Sequence, residues 1–337
     1  MADNNTSTTR PGSRTKRWIL AACLIAVTQA AAPAQAQSNW PDRPIKFIVP
    51  FPAGALTDVV ARQVAVKLGE RLGQTLVVEN RVGGSGNVGS EAVVRAAPDG
   101  YTIGLATSTT HAITVALKPN VGYDPVKDLE SISMIGVAPY ALVVNPGVAA
   151  NSVAEFIALA KSKPKAINYS SVGPASLAHL AGELFSSLAG IQLTHVPYRS
   201  QSHAVVDLTA GRIEAQFGAL GASLPSVREG KLRLLAVTSA ARVSMAPEAP
   251  TVAESGLPGY EATLWVAIVA PAGTPAAIVS RLNKETVAVI ADPQISRALI
   301  TQAVEPKSST PAELREQIQR DIVRWRELGA KAGIKSE

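Results

Sequence analysis

The sequence predicts an α/β fold of two lobes, each a mixed, mostly parallel sheet with flanking helices. Short apolar runs typical of strands alternate with longer stretches in which apolar residues recur every three to four positions, as on helices. Strands that alternate with helices favour parallel pairing with helices on both faces of the sheet. The length of 337 residues favours two lobes, because a single hydrophobic core stops growing near about 250–300 residues.

The predicted strands and helices occupy most of the chain after residue 40. Gly73, Pro164 and Gly190 directly follow three of the helical stretches, and glycine or proline commonly follows a helix end. Strands are predicted at residues 45–49, 75–79, 102–106, 141–144, 193–196, 232–237 and 264–270, and helices at residues 58–72, 152–163, 177–189, 276–290 and 311–330.

Two stretches indicate where the chain passes between the lobes. Residues 136–143 join two apolar segments around Pro139, and residues 242–260 are rich in proline and glycine. A cleft between two lobes is a favoured place for a small ligand. The predicted first lobe comprises residues 37–139 and 261–337, and the predicted second lobe comprises residues 140–260.

The first 36 residues have the pattern of a secretory signal peptide. Four basic residues within the first 17 positions precede an apolar run at residues 18–27, and Ala34-Gln35-Ala36 supplies a small-residue cleavage site. The run is too short to span a membrane, which takes about 20 residues. We therefore expect export to the periplasm, cleavage near Ala36 and no stable membrane insertion. A lipoprotein signal with Cys23 as the lipidated residue is the alternative.

Composition and charge exclude several classes of protein. The chain is 47% hydrophobic and 17% charged, which excludes disorder, and its 4% aromatic residues are too few for nucleic-acid stacking. Cys23 is the single cysteine, so the chain after cleavage has no disulfide, thiol nucleophile or Cys-bound metal. The net charge of +6 falls to +3 without the leader, and no basic block remains to bind nucleic acid.

Catalytic and cofactor motifs are missing or incomplete. The four histidines form no HExxH pattern and no pair four positions apart, and there is no GxSxG motif. Residues 84–89 match GxGxxG, but residues 79–83 separate them from the preceding strand, and no acidic residue ends the strand at 102–106. We therefore expect no catalytic residue, no metal and no cofactor in a monomer that captures a small molecule.

The sharpest motif is the turn between the strand at 45–49 and the helix at 58–72. Pro50 and several small residues lead into Thr57 and Asp58. The backbone N–H groups of a helix N-terminus lie at the positive end of the helix dipole and bind anions. The motif equally fits an ordinary turn in which Thr57 or Asp58 caps the helix.

A second turn of the same kind follows the predicted strand that begins near Ile167. It contains Ser170, Ser171 and Ser176 and precedes the helix at 177–189. A third cluster of hydroxyl groups at residues 107–111 follows another strand, and a solvated cap is its alternative role. Two such turns, one in each predicted lobe, suit the two carboxylates of a dianion.

Ten stretches of the chain resemble the Bug family of solute-binding receptors of tripartite tricarboxylate transporters. They include WPDRPI at 40–45, VVENR at 77–81 and APAGTP at 270–275, and the match is collinear over residues 40–337. Each motif is modest alone, and together they are specific. The other matching stretches are residues 50–58, 97–101, 123–125, 179–185, 195–198, 235–239 and 250–254.

This resemblance implies a type II-like periplasmic binding-protein fold that closes on a small organic carboxylate and delivers it to the transporter's membrane permease. In relatives, the two turns together hold one carboxylate, often through water. Carried across residue by residue, the ligand-binding residues are Phe51, Ala53, Gly54, Thr57 and Asp58 in the first turn, Ser171, Gly173, Pro174, Ala175 and Ser176 in the second, Ser108 and Thr109 between them, and Tyr198 at the edge of the cleft.

The chain departs from the family pattern at four places. Ala55 stands where relatives have a second glycine, and Pro174 removes one backbone donor from the second turn. Ser200 replaces a glycine that follows the Tyr-Arg pair. Gly218-Ala219 replaces an Asp-Asn pair. If that aspartate binds an amino group in relatives, its absence favours a plain mono- or dicarboxylate ligand.

Two other functions stay open on the sequence. A receptor of the same fold can act on a signalling partner instead of a permease, and capture of the partner separates these two. Ser171 with a distant histidine also meets the minimum for a serine-dependent hydrolase. Labelling of Ser171 by a serine-reactive phosphonate would identify that activity.

Overall fold

The computed structural model describes residues 1–6, 40–118 and 120–334. The chain divides into two units, Met1–Asp42 and Arg43–Glu337, and the described strands and helices belong to the second. Most of the predicted signal peptide, with its cleavage site near Ala36, lies outside the described residues. Within the described ranges, none of the helices combines the length and the apolar character that a transmembrane span needs.

The predicted α/β class is confirmed, because the described strands form one mixed sheet that helices flank. The strands are β1 (Ile45–Val49), β2 (Leu76–Asn80), β3 (Thr102–Thr107), β4 (Leu129–Val144), β5 (Asn168–Ser171), β6 (Thr194–Pro197), β7 (Ala215–Ala219), β8 (Arg233–Val237), β9 (Thr263–Pro271) and β10 (Glu305–Pro306). The helices are α1 (Leu56–Leu72), α2 (Asn87–Val94), α3 (Thr114–Leu117), α4 (Val153–Ser162), α5 (Leu177–Ala189), α6 (Gln201–Thr209), α7 (Leu220–Arg228), α8 (Ala276–Ile290), α9 (Pro293–Thr301) and α10 (Pro311–Ala332), with a π-helical turn (Thr109–Ile113) before α3.

The sheet combines two parallel groups that antiparallel strands connect. Its order is β2-β1-β3-β9-β4-β7-β5-β6, and β8 and β10 also pair with β4. β1 is parallel to β2 and β3, and β5 is parallel to β6 and β7. β9 is antiparallel to β3 and β4, and β4 is antiparallel to β7. Each parallel group therefore has its helices in the connections between strands, as the alternating pattern predicts.

The long strand β4 joins the two halves of the sheet. It has 16 residues. From Leu129 to Pro139 it pairs with β9, and Pro139 lies opposite Thr263. From Tyr140 onward it pairs with β7, where Tyr140 lies opposite Ala219. The chain thus passes from one half of the sheet to the other without leaving the strand.

One cluster of buried apolar side chains extends through both halves of the sheet. It includes Ile48 of β1 and Phe217 of β7. In the same cluster the indole Nε1 of Trp265 on β9 donates to Oδ2 of the buried Asp321 on α10, at 2.8 Å. This bond satisfies two polar groups that burial would otherwise make costly.

All five predicted helices are confirmed within a few residues, but several elements carry no clear pattern and were not predicted. β7 has Phe217 as its single large apolar residue among small ones, and α7 contains Pro225, which ordinarily ends a helix. The strand predicted at 141–144 is only the end of β4, because Pro139 suggested a break where the strand continues. The other elements without a prediction are α2, α3, α6, α9 and β10.

Gly182 allows α5 to lie close against Tyr169 of β5. A Cβ atom there would lie 2.6 Å from Cζ of the buried Tyr169 ring. Overpacking of this kind costs about 1–3 kcal/mol, and the better helix propensity of alanine offsets about 1 kcal/mol. We expect Gly182→Ala to lower the free energy of unfolding in urea by up to about 2 kcal/mol. Leu188→Ala on the same helix, at a residue 46% exposed, should change it by less than about 0.5 kcal/mol, and equal effects would contradict the packing argument.

Candidate functional site

The strand register gives the levels along β4 at which β3 and β7 end. β3 ends at Thr107, which is level with Val266 of β9 and therefore with Gly136 of β4. β7 runs the opposite way and ends at Ala219, level with Tyr140 of β4. The two strands thus run towards each other on opposite sides of β4 and end at levels four residues, or about 13 Å, apart along it. Because β1 is parallel to β3 and β5 is parallel to β7, each predicted turn follows the end of its parallel group that points towards the other group.

Asp58 organises the first turn from within. Its carboxylate accepts hydrogen bonds from the backbone N–H of Gly54 at 2.9 Å, from Nδ2 of Asn80 at 2.8 Å and from Nε of Arg62 at 3.0 Å. The same Nδ2 donates to the backbone oxygen of Phe51 at 3.0 Å. Burial alone would raise the pKa of Asp58, but the hydrogen bonds from Arg62, Gly54 and Asn80 outweigh it and hold the pKa below its usual value. The carboxylate thus fixes the turn as an ionised group.

The N-terminus of α1 has no capping side chain. Ala55 is the N-cap residue and makes no side-chain hydrogen bond to the helix. The carboxylate of Asp58 bonds Gly54 instead, where a φ of 80° suits glycine. Phe51 is half-buried, Ala53 and Gly54 are exposed, and Thr57 is buried. The first amides of α1 therefore depend on solvent or a ligand for their partners.

The cluster of hydroxyl groups after β3 lies against this turn. Oγ1 of Thr107 and Oγ1 of Thr110 are 3.1 Å apart, and the hydroxyl of Tyr123 donates to the backbone oxygen of Thr110 at 2.6 Å. A Cβ atom on Gly86 would lie 2.5 Å from Cγ2 of Thr110 and 3.5 Å from the ring of Phe51. The loop that matched GxGxxG therefore packs between the first turn and this cluster.

Ser108 and Thr109 differ in how far they reach the surface. Ser108 is 1% exposed, and its Oγ has no hydrogen-bond partner among the described residues. Thr109 is half-buried and begins the π-helical turn. Of the two, Thr109 is the better placed to meet a ligand in this conformation.

The second turn is held by hydroxyl groups at both ends. Oγ of Ser171 accepts from the backbone N–H of Gly173 at 3.0 Å, and Oγ of Ser176 donates to the backbone oxygen of Gly173 at 2.7 Å. Ser176 is also the N-cap of α5 and accepts from the backbone N–H of His179. Pro174 is exposed, and Ala175 has a φ of 57°. Gly173, Pro174 and Ala175 therefore form the outer part of the turn.

Two histidines support the second turn. Nε2 of His195 lies 2.6 Å from Oγ of Ser171, and the rings of His195 and His179 stack with centroids 3.8 Å apart. Nδ1 of His179 accepts from the backbone N–H of Ala175 at 3.2 Å. Burial and the neighbouring His179 lower the pKa of His195 to about 4, and burial lowers the pKa of His179. Both rings are therefore neutral at neutral pH.

Tyr198 and Gly218 complete the edge of the second half. The hydroxyl of Tyr198 donates to Oδ2 of Asp207 at 2.9 Å, so this group already has an acceptor. A Cβ atom on Gly218 would collide with Nε2 of Gln201, which donates to Oε1 of Gln216 at 3.2 Å. The amide of Gln201 thus occupies the space that a side chain at residue 218 would fill.

The structure brings the predicted residues of each turn together, and no hydrogen bond joins the first turn to the second among the described residues. The predictions missed the side chains that hydrogen-bond to each turn, which are Arg62 and Asn80 in the first turn and His179 and His195 in the second. Arg62 is four residues after Asp58 on one helix face, which is a detectable ion-pair spacing. The role of Asn80 depends on β1 and β2 being neighbours, which no local pattern shows. No local pattern in the sequence relates His179 and His195 to the second turn.

Comparison with known proteins decides the family. Residues 60–334 match the family model described as "Tripartite tricarboxylate transporter family receptor". The chain belongs to this receptor family. The resemblance to Bug proteins is confirmed as well, since the chain is 38% identical over 313 residues to "Protein BugT" of Bordetella pertussis, covering 91% of this chain and 96% of that protein.

The periplasmic binding-protein fold is confirmed by the solved structure of periplasmic binding protein BugD, which is 31% identical, with a TM-score of 0.68, and covers 88% of this chain and 100% of that chain. The structure titled "R. palustris Rpa4515 with adipate" is 35% identical, with a TM-score of 0.71, and covers 88% of this chain and 99% of that chain. MatC from Rhodopseudomonas palustris with bound malate is 28% identical, with a TM-score of 0.67, and covers 86% of this chain and 99% of that chain. The Rpa4515 structure contains adipate and the MatC structure contains malate, and both ligands are dicarboxylates.

Removal of the Asp58 carboxylate should destabilise the first turn. Asp58→Ala leaves the N–H of Gly54 and the amide of Asn80 without their buried acceptor, which costs about 1–3 kcal/mol. We expect the free energy of unfolding in urea to fall by that amount. Glu70→Ala on the same helix breaks only the exposed pair with Lys67, and its effect should stay below about 1 kcal/mol. A larger effect of the control would show that Asp58 does not anchor the turn.

Acid should destabilise the protein through its buried histidines. Burial lowers the pKa of His111 to about 3 and contributes to a pKa of about 4 for His195, whereas an unfolded histidine has a pKa near 6.5. The unfolded chain therefore binds more protons below pH 6.5, and the free energy of unfolding falls as the pH drops from about 6.5 towards 4. Urea unfolding of His195→Gln should give a shallower decline than the wild type, and equal slopes would contradict the assignment.

Proposed function

We propose that this protein is a periplasmic receptor that captures a small organic carboxylate between its two turns and delivers it to a tripartite tricarboxylate-type permease. The observation that carries the proposal is the position of the turns. They follow strands of the two parallel groups that run towards each other and end at levels about 13 Å apart along β4, and the N-terminus of α1 has no capping side chain.

Backbone amides and hydroxyl groups are sufficient to bind a carboxylate. Hydrogen bonds to a charged group contribute about 1.5–3 kcal/mol each, and micromolar affinity needs about 8 kcal/mol. Four to six such bonds reach that range after the loss that comes from ordering the protein and ligand. The amides of α1, the hydroxyl of Thr57 and the turn at Ser171–Ser176 supply donors of this kind.

The crossing strands suit closure about a hinge. We propose lobes of residues 37–139 with 261–337 and of residues 140–260, because β4 changes partner between Pro139 and Tyr140 and its neighbour β9 begins at Thr263. Hinge residues at element ends absorb such motions. Closure would bring the two turns onto the same ligand and create the form that the permease recognises.

The ligand we favour is a plain mono- or dicarboxylate. Two of the relatives named above were solved with adipate and malate. Because residue 218 is glycine, it contributes no carboxylate to the edge of the second half, and the uncharged amide of Gln201 occupies the adjoining space. An α-amino group would find no negative partner at that position, which disfavours amino acids.

Export, a monomeric state and delivery to a permease complete the proposal. The family consists of transporter receptors, and the leader sequence is of the exported type. A receptor that acts on a signalling partner would have the same site. Pull-down of membrane partners with and without ligand separates the two roles.

A serine-dependent hydrolase has one observation in its favour, the 2.6 Å contact between Ser171 and His195. Two features disfavour it. A pKa of about 4 makes His195 a weak base at neutral pH. Among the described residues no carboxylate hydrogen-bonds Nδ1 of His195, so no third group orients the ring as in a triad.

Thermal stability in the presence of carboxylates tests the proposal. A ligand at 100 times its Kd stabilises the folded protein by about 2.7 kcal/mol. We expect residues 37–337 to melt several degrees higher with a mono- or dicarboxylate, and Thr57→Ala to bind it at least about tenfold more weakly because a bond to a charged group is lost. Calorimetric titration measures the affinity.

The matched control is Ser162→Ala, an exposed hydroxyl on α4. It should bind as the wild type does. No shift with mono-, di- or tricarboxylates would contradict the receptor proposal, and a shift with amino acids alone would contradict the argument from Gly218. Covalent labelling of Ser171 by a serine-reactive phosphonate would favour the hydrolase.

A further inference from the structure

The N-terminus of α5 has a capping arrangement in which histidine replaces the usual acidic residue. In a capping box, Ser or Thr at the N-cap accepts from the third helical residue, and a Glu or Gln side chain there bonds a backbone N–H in return. Here Oγ of Ser176 accepts from the N–H of His179 at 3.3 Å. Nδ1 of His179 accepts from the N–H of Ala175 at 3.2 Å. The reciprocal bond reaches one residue further back than in the ordinary box.

The residue that His179 bonds is the one in an unfavourable backbone conformation. Ala175 has a φ of 57°, in the left-handed region that residues with a Cβ atom rarely adopt. A local bond from its N–H to a buried acceptor helps to keep it there. The conformation of the outer turn thus depends on the ring of His179.

His195 holds the other end of the same turn. Its ring stacks on that of His179, with 9° between the planes, and its Nε2 contacts Oγ of Ser171. Ser171 in turn accepts from the N–H of Gly173. Two stacked rings, from β6 and α5, therefore fix both Ser171 and Ala175.

The charge of the capping group matters at an anion site. A glutamate in place of His179 would put a negative charge beside the turn, and like charges repel strongly where water is excluded. A neutral imidazole supplies the same acceptor without that charge. Because Nδ1 accepts a hydrogen bond, the proton of the neutral ring is on Nε2, which lies 3.9 Å from Oε1 of Glu183.

We propose that His179, supported by the stacked His195, is an uncharged capping and positioning residue that shapes the second turn for an anionic ligand. This rests on the proposed function. The titratable groups that face the two rings are Glu183 on the same helix and Tyr169 on β5, whose hydroxyl donates to Glu183 at 2.7 Å. Protonation of His179 would set an N–H at Nδ1 against the N–H of Ala175 and break the bond.

Exchange of the Ala175 amide with solvent tests the positioning role without any ligand. We would compare the wild type, His179→Gln and His179→Leu by NMR at pH 7.5. Glutamine keeps an acceptor and leucine removes it. We expect His179→Gln to exchange within about threefold of the wild type and His179→Leu at least about tenfold faster, since tenfold corresponds to about 1.4 kcal/mol. Far-UV circular dichroism and melting confirm that each variant folds.

The pH profile separates an uncharged cap from mere packing. After correction for the intrinsic exchange rate, the wild type should lose protection at Ala175 as the pH falls below 6.5, because His179 becomes protonated. His179→Gln has no titrating group at this position and should keep its protection down to the pKa of about 4 of His195. Equal exchange in the leucine variant and the wild type, or the same pH profile in the wild type and the glutamine variant, would overturn the inference.

Adipate is the ligand with which we would test whether the His179 cap affects binding. After correction for protonation of the adipate carboxylates, which titrate in the same range, the affinity of the wild type should fall with pH in parallel with the loss of protection at Ala175, and that of His179→Gln should not. A parallel fall in the glutamine variant would overturn the link between the cap and binding. If the exchange results hold and the wild type binds neither adipate nor any carboxylate of the panel, the receptor proposal fails and the capping role stands.

Discussion

The pairing of β4 with both halves of the sheet is the constraint on which the rest of the structure depends. A strand fixes the positions of its neighbours to within one residue, because a slip of one residue would turn every side chain to the other face. β9 pairs with its first part and β7 with its last. The levels along β4 at which the two groups of strands end therefore follow from one uninterrupted backbone.

The chemistry of the candidate site comes mainly from the backbone. Supporting side chains hydrogen-bond to the polar groups of each turn. Asp58 and Asn80 do so in the first turn, and His179 and His195 do so in the second. These buried and half-buried side chains set the conformations of the turns, and the outer residues of the turns have small side chains or none. Rigid support of a small polar surface is what precise recognition of a ligand requires.

The sequence predicted the fold class, the five longest helical patterns and both turns, because each depends on residues close together in the chain. Periodicity places α1, and the small residues before it mark the turn. The contacts across the fold were beyond such reasoning. Asn80 reaches Asp58 only because β2 lies beside β1, and His195 meets His179 only because β6 and α5 pack together. The resemblance marked these stretches without giving their roles.

The absence of a side chain at Gly218 affects how the ligand preference of such a receptor can evolve. Main-chain amides bind a carboxylate without using the neighbouring side chains. A receptor that relies on them can therefore keep its affinity for carboxylates when a neighbouring side chain is substituted. The amide of Gln201 occupies the space beside Gly218 without a charge. If the protein has the proposed function, paired changes at these two residues would alter which carboxylate it prefers while the turns stay intact, and related receptors could acquire different ligands by that route alone.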